Sequence, residues 1–460
     1  MRKSNHYRSD DQRRQRRDLS AAGIEPAKGM GQNFMTDVSV ASWIVDQLEI
    51  APEDTVIEIG PGMGALTTHL VKSARHLILL EKDDEIVELV RAKYGSLPGV
   101  TVIHGDALHF DLRPYFKSQP LKLIGALPYS VGTEIVRRWL VNPSPVQRAV
   151  FTLQKEVCDR LCAAPGTPDC GLLSVRTQLR WNAAMVRKLP PDIFVPRPKV
   201  DSGVVVLTPR PRHDLPPFDE AAIDHLLRSG FSQRRKMLRN LLPPRDDRPW
   251  DVIAAAANIN PTARGQELSV AQWVALADAW RGHDAPPAQR DDEIFDVVNE
   301  NNVVTSTAPR AVVHANGWRH RAVHIFVLNA AGEVFLQKRS HLKDKMPGKW
   351  DSSAAGHLDA GEAYLPCAVR ELEEELGIRT TPDRLLLAAT VPACPGTGME
   401  FVELFTTHSD QPLHWPPAEI ETGVWMAPHE IDAWTAARPE DFAEGFLECW
   451  QRWQRPTPQP

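Results

Sequence analysis

Three glutamates, Glu371, Glu374 and Glu375, stand at i, i+3 and i+4 in a stretch of helical period, so their carboxylates share one helix face. Packed together without a counterion they would repel and raise one another's proton affinity. Oxygen-rich clusters of this kind suit Mg²⁺ or Mn²⁺, which bridge to a diphosphate and activate a water. A second pattern lies far upstream, where the apolar run Val56–Ile59 enters the turn Gly60-Pro61-Gly62-Met63-Gly64. Glycines there let the backbone approach a ligand, and the following helix offers unpaired N–H groups. The next apolar run ends in Glu81, placed to accept hydrogen bonds from ribose hydroxyls; the third ends at Asp106, placed to accept from an adenine amine. The fourth ends in Ala126-Leu127-Pro128-Tyr129. Two successive strand-end carboxylates followed by a Pro-aromatic turn suit an adenosyl group and a flat substrate better than a dinucleotide.

The elements that must position these groups follow from periodicity. Apolar runs at Thr55–Ile59, His76–Leu80, Val100–His104, Lys122–Gly125 and Arg148–Leu153 alternate with amphipathic stretches, which predicts a doubly wound, Rossmann-like α/β domain over residues 31–210. Helical period in AAIDHLLRSGF and LSVAQWVALADAW predicts a small helical subdomain over 211–282. Residues 283–291, rich in proline and charge, read as a linker. Strands around one long helix, Leu365–Leu376, fill 292–455 and predict an α/β/α sandwich.

Composition sets outer bounds. The chain has 460 residues, 42% hydrophobic and 24% charged, and no apolar run near the length that spans a bilayer, so a cytoplasmic enzyme is expected. Six scattered cysteines read as reduced thiols; Cys158 and Cys162 share a helical spacing but lack further ligands at metal-site spacing. The net charge of -6 conceals a basic segment: residues 1–20 hold seven cations against three carboxylates. Residues 1–30 are expected to be a flexible arm drawn to phosphates.

With those residues in view, the stretch Gly31 to Trp280 resembles the ribosomal RNA small-subunit adenine dimethyltransferase family. The matching motifs are GQNF at Gly31, EIGPGMGALT at Glu58, GDAL at Gly105, LQKEV at Leu153, FVPRPKVDS at Phe194, FSQRRKMLRN at Phe231 and ELSV at Glu267, in order along the chain. The resemblance implies S-adenosylmethionine as methyl donor, held by Asn33, the Met35 backbone, Gly60, Glu81, Asp106 and the Ala126 position. It implies a target adenine flipped out and stacked between Tyr129 and Phe194, with its amine aligned at Ala126 and Leu127. Lys155, Arg197, Lys199, Arg234, Arg235, Lys236 and Arg239 become candidate contacts to rRNA phosphates of the small subunit. One position departs from the family: Asn-Leu-Pro-Tyr is expected where this chain has Ala126-Leu127-Pro128-Tyr129. The missing Asn oxygen would accept a hydrogen bond from the attacking amine, so a methylation-impaired rRNA-binding assembly factor is the alternative expectation.

The segment Gly356 to Ile378, GHLDAGEAYLPCAVRELEEELGI, resembles the Nudix pattern at Gly356, Glu362, Arg370, Glu371, Leu372, Glu374, Glu375, Gly377 and Ile378. That resemblance implies a metal-dependent pyrophosphohydrolase acting on a diphosphate-containing small molecule, with Glu371, Glu374 and Glu375 as ligands, Glu374 also acting in catalysis, and Arg370 paired with Glu362. The flanking DVVNENNVV, RHRAVHIFV, LQKRS and KDKMPGKWD resemble the branch that includes isopentenyl diphosphate isomerases. Those isomerases carry a catalytic cysteine where this chain has Ala355, so hydrolysis is expected. His320 and His357 match isomerase metal-ligand positions, although packing or phosphate contact is the commoner use of such histidines. Lys338, Arg339, Arg319 and Arg321 are candidate phosphate contacts, and Glu400, Glu403, Glu419 and Glu421 candidate general bases.

Overall fold

The computed structural model describes residues 33–112, 114–115, 120–128, 131–140, 144–211, 214–216, 218, 220–242, 248–281, 293–340, 343 and 345–454. The basic arm, the 283–291 linker and Tyr129 lie outside them. The chain separates into two compact units: one runs to Asp214 and resumes over Asp224–Leu276, the other takes Leu215–Ile223 and continues from Ala277.

The first unit is built on strands β1 (Phe34–Met35), β2 (Thr55–Ile59), β3 (His76–Glu81), β4 (Val100–His104), β5 (Leu121–Ala126), β6 (Val146–Gln154), β7 (Trp181–Leu189), β8 (Phe194–Val195) and β9 (Ser202–Pro209). Seven of them form one sheet in the order β4-β3-β2-β5-β6-β9-β7, and β1 pairs with β8 separately. The first five in that order are parallel, while β9 and β7 are antiparallel additions. Parallel strands are buried on both faces, which is why their sequences read as nearly unbroken apolar runs. Val56, Leu77 and Leu79 pack with Ile44, Leu48 and Leu70 on one face. Ile57, Ile59 and Leu123 pack with Trp139 and Leu161 on the other.

Strand order reverses between β2 and β5, since β3 and β4 lie to one side and β6 to the other. A crevice opens at such a switch point beyond the carboxyl ends of the strands. The glycine turn follows β2 and Ala126 ends β5, so topology brings the two motifs together. In the helical part, Phe231 and Trp273 pack with ring centroids 5.5 Å apart, and a side chain on Gly230 would meet Trp273 at 2.6 Å.

The second unit contains a hairpin, β10 (Ile294–Val298) with β11 (Val304–Pro309), and a seven-stranded mixed sheet. The sheet holds β12 (His320–Leu328), β13 (Val334–Arg339), β14 (Trp350–Asp351), β15 (Ala354–His357), β16 (Leu386–Val391), β17 (Glu400–His408) and β18 (Ile420–Met426). The helix Tyr364–Leu376 buries Cys367, Ala368, Leu372 and Leu376 against Val323, Ile325 and Val327 of β12. It stops at Gly377, whose φ of 68° closes the helix in the left-handed region. Aromatic side chains, including Phe446 and Trp450, pack on Phe326 across the opposite face. Among the described residues, no helix is long and apolar enough to cross a membrane.

Candidate functional site

In the first unit the turn after β2 is shaped by steric demand. Gly60, Gly62 and Gly64 have φ values of 66°, 53° and 84°, in the region that disfavours side chains. A Cβ on Gly64 would lie 2.3 Å from the Tyr94 hydroxyl, whereas one on Gly60 would meet nothing within 4 Å. Gly60 thus borders open space, the approach a ligand needs.

Glu81 is buried, and its carboxylate accepts from the backbone N–H groups of Lys82 at 2.9 Å, Asp83 at 3.0 Å and Gly62 at 3.2 Å. Burial pushes its proton affinity up despite those bonds. Asp106 accepts from the Leu108 N–H at 2.9 Å and the Lys82 ammonium at 2.7 Å. Against the upward push of burial, those two groups hold its carboxyl below the usual range. Both carboxylates accept from backbone N–H groups, which fixes their orientation just beyond the ends of β3 and β4.

Met35 pairs with Phe194 across β1 and β8, which ties the strand carrying Met35 to the predicted stacking residue. Phe194 itself is only 3% exposed and packs in the core with Phe34 and Ile193. The expected adenine sandwich is therefore not laid open on that side, and its other wall, Tyr129, lies outside the described residues. Asn33 is half-buried just before β1. Ala126 is half-buried and pairs with Thr152, while the buried Leu127 donates its N–H to the Thr152 carbonyl at 3.1 Å.

Of the predicted RNA cations, Arg197, Lys199, Arg234, Arg235, Lys236 and Arg239 are exposed. Arg234 spends one donor on the Pro168 carbonyl at 2.6 Å, and Lys155 bonds Asp159 at 2.5 Å. A residue outside the predicted set is Glu58, fully buried with its carboxyl accepting from Thr67 Oγ1 at 2.7 Å. Burial pushes its pKa to about 8. The group is neutral in the fold but ionised above about pH 4.5 when unfolded, so its contribution to stability is complete at low pH and lost as pH rises through 8. The melting temperature of this unit is expected to fall between about pH 4.5 and 8 and to level off above, and Glu58→Gln to flatten that fall; parallel slopes in thermal melts of the two proteins would contradict it.

In the second unit the long helix places its carboxylates under β15. A Cβ on Gly356 would stand 2.0 Å from the Glu371 carboxyl carbon, so only glycine admits that side chain. Glu371 and Glu375 are buried, and burial together with Glu375 pushes Glu371 to about 8. Burial also raises Glu375, whose Oε2 accepts from the Ala355 N–H at 3.0 Å and Gln337 Nε2 at 3.2 Å. Arg370 reaches Glu362 through two donors, at 3.1 and 2.9 Å, and also Glu371 at 2.7 Å and Glu374 at 3.2 Å. It thereby organises the cluster as the sequence predicts. Two buried carboxylates whose burial raises their proton affinity, with a third exposed beside them, make an oxygen donor set that a hard divalent ion fits.

The carboxylates line a cavity of about 880 Å³. Arg339, Lys343 and Glu419 share it, with Lys343 ion-paired to Glu419 and 4.0 Å from Glu375. Of the other proposed phosphate contacts, Lys338 lies over the Trp350 ring and Arg321 bonds Asn302, so neither faces the cavity. Among the candidate bases, Glu400 and Glu419 line it; Glu403 and Glu421 do not.

The cavity also holds a nitrogen-rich group that spacing only half revealed. Ligand atoms of His314, His320 and His357 lie within 4.8 Å of one another. Glu400 Oε1 is 3.0 Å from His357 Nε2 and 3.5 Å from His320 Nε2. His320 Nδ1 sits 2.9 Å from the Trp318 carbonyl, which can only accept, so that nitrogen carries a proton. The Nε2 atoms of His314 and His320 are buried without hydrogen-bond partners among the described residues. Burial and the neighbouring imidazoles hold His314 at about 4, and burial holds His357 at about 4 even beside Glu400. Sequence reasoning missed His314 because it belongs to a separate helix, Arg310–Asn316, that no motif ties to the strand. Cys367, nearest in sequence to the position of the isomerase cysteine, is buried with its thiol against the His357 carbonyl at 3.4 Å.

Comparison with known proteins adds two matches. A family model described as ribosomal RNA adenine dimethylase matches residues 26–279, and a NUDIX domain model matches residues 318–446. Ribosomal RNA small subunit methyltransferase A of Lactiplantibacillus plantarum is 37% identical over 277 residues, covering 58% of this chain and 94% of that protein. The protein of the same name from Aromatoleum aromaticum is 38% identical over 253 residues, covering 55% and 92%. Among solved structures, the 23S rRNA methyltransferase ErmE aligns at 25% identity with a TM-score of 0.45, over 54% of this chain and 100% of that one.

Proposed function

Because the chain belongs to the ribosomal RNA adenine dimethylase family over residues 26–279 and carries a NUDIX domain over 318–446, we propose that it joins two activities. The first unit transfers methyl groups from S-adenosylmethionine to adenine N6 of small-subunit rRNA, and the second hydrolyses a diphosphate-containing small molecule with the help of Mg²⁺ or Mn²⁺.

For the first unit, the supporting observation is the crevice at the β2–β5 switch point, where Gly60 borders open space and Glu81 and Asp106 are pinned by backbone donors. Asn33 and the Met35 backbone would close around the methionine end, Glu81 would hold the ribose, and Asp106 the adenine amine. The target amine would be aligned by the Leu127 carbonyl alone, since Ala126 has no acceptor. Lys155, Arg197, Lys199 and the Arg234–Arg239 cluster, with Arg235 and Lys236, would take rRNA phosphates. Incubation with labelled S-adenosylmethionine and unmethylated small subunits tests this: label in adenine N6 is expected, and its absence in both the wild type and Ala126→Asn would defeat the reading.

For the second unit, the carrying observation is the buried carboxylate cluster ordered by Arg370. Glu371, Glu374 and Glu375 would hold the divalent ion, which when bound supplies charge for the diphosphate and an acidified water. Arg339 and Lys343 face the same space and would orient substrate phosphates. Ala355 leaves the protonation chemistry of isomerisation without its thiol, so hydrolysis is favoured.

The close grouping of three imidazoles beside Glu400 favours a further reading for His314, His320, His357 and Glu400: a site for a transition ion such as Zn²⁺, which takes nitrogen readily where the carboxylates take Mg²⁺. Co²⁺ titration followed in the visible should give a d–d spectrum that His320→Gln removes and Glu375→Gln keeps. A spectrum unchanged by His320→Gln would refute it.

A further inference from the structure

The carboxyl edge of the first unit's sheet carries a feature outside the methyltransferase motifs. The Arg187 guanidinium lies over the Trp43 ring, 4.9 Å from its centroid. Register fixes where this stands. Ala126 pairs with Thr152, Gln154 with Ser202, and Ser202 with Leu189. The Arg187–Leu189 end of β7 is therefore at the same edge of the sheet as Ala126. Trp43 belongs to the helix Val38–Asp46, which begins just after the cofactor strand β1.

The local backbone is adapted to present this arginine. Register between β7 and β9 shifts at Met185/Arg187, so one extra residue enters β7. Such a bulge re-aims the next side chain. Arg187 comes to lie opposite Val204, on the face whose core Trp43 packs against, and Val186 is left 41% exposed. Trp43 is half-buried and Arg187 exposed. Lys188 is paired with Asp201 at 2.7 Å. Arg187 has no carboxylate partner among the described residues, and neither do the exposed Arg197 and Lys199 on the segment leading back to β9.

A guanidinium placed over an indole can stack a nucleobase on its other side. Cations without carboxylate partners nearby attract phosphates. A strand whose adenine is extruded for methylation also has unstacked neighbours that need a surface. We propose that the Arg187–Trp43 pair is a stacking platform for an unpaired nucleotide of the RNA strand carrying the target adenine, with Arg197 and Lys199 holding the adjoining phosphates. The proposal rests on the rRNA-methyltransferase reading and adds to it a place where the flanking nucleotide is held.

The test uses the full chain, a short labelled single-stranded RNA containing adenine, the same sequence annealed to its complement, and unmethylated small subunits. Arg187→Ala is expected to weaken single-strand binding roughly 5- to 150-fold, the range of one lost base stack, and to change duplex binding little. Arg187→Lys keeps the charge without the plane and should recover only part of the loss, while Trp43→Phe should keep most of the affinity. Unchanged melting temperature and S-adenosylmethionine binding in Arg187→Ala would show that the fold is intact. If Arg187→Ala binds the single strand as the wild type does, the platform is overturned while the rRNA reading stands. If the wild type binds neither RNA nor small subunits, both fall.

Discussion

Glu375→Gln is expected to lower diphosphate hydrolysis by the second unit on the order of 10³-fold while leaving the fold in place. The side chain is buried, and one of its oxygens accepts from Ala355 N–H and Gln337 Nε2. A glutamine of the same shape keeps an oxygen for those donors, so the cost falls on the other position. There an amide replaces a carboxylate oxygen, and the site loses one negative charge where a divalent ion would be held. The same substitution removes the like-charge pressure on Glu371, so the variant should melt no lower than the wild type without metal. Phosphate release from a panel of diphosphate compounds, measured with and without Mg²⁺, checks the claim. Equal release by the two proteins would remove these glutamates from the chemistry.

That the carboxylate cluster was legible from sequence, and the histidine cluster only in part, has a physical reason. Helical period puts residues three and four apart on one face whatever surrounds them, so Glu371, Glu374 and Glu375 could be grouped from spacing alone. The bond from Arg370 to Glu362 was likewise anticipated, because Glu362 sits just before the helix that carries Arg370. His314, His320, His357 and Glu400 come from four separate elements, and their meeting depends on parallel pairing of β12 with β17 and antiparallel pairing of β12 with β15. Nonlocal strand pairing leaves no short-range trace.

The sheet of the first unit shows the same division. Its five parallel strands could be read to within two residues at each end, since all but the edge strand β4, whose residues are half-buried or exposed, are largely buried and so carry nearly continuous apolar runs. The edge strand β7 alternates exposed and half-buried residues, carries a bulge, and escaped the sequence reading. Phe194 shows a further limit: its motif was visible, but its burial was not, because that follows from the pairing of β8 with β1.

The largest gain is expected from Ala126→Asn, which should raise methyl transfer to unmethylated small subunits by about 10² to 10³, the usual worth of one well-placed transition-state hydrogen bond. Ala126 ends β5 beside the glycine turn and is half-buried. Its cross-strand partner Thr152 carries a buried hydroxyl that has no hydrogen-bond partner among the described residues. Leaving a buried hydroxyl unpaired is costly, and a polar neighbour at position 126 is what it lacks. In the variant, the asparagine amide nitrogen would donate to Thr152 Oγ1, which turns its oxygen toward the crevice to accept from the adenine amine. The effect should therefore appear in kcat rather than in cofactor affinity. Adding Thr152→Val to Ala126→Asn should remove much of the gain by freeing the amide to rotate, whereas Thr152→Val alone should change the rate little. A gain that survives in the double variant would leave the asparagine oriented by something other than Thr152, and no gain at all would mean that the Leu127 carbonyl already suffices.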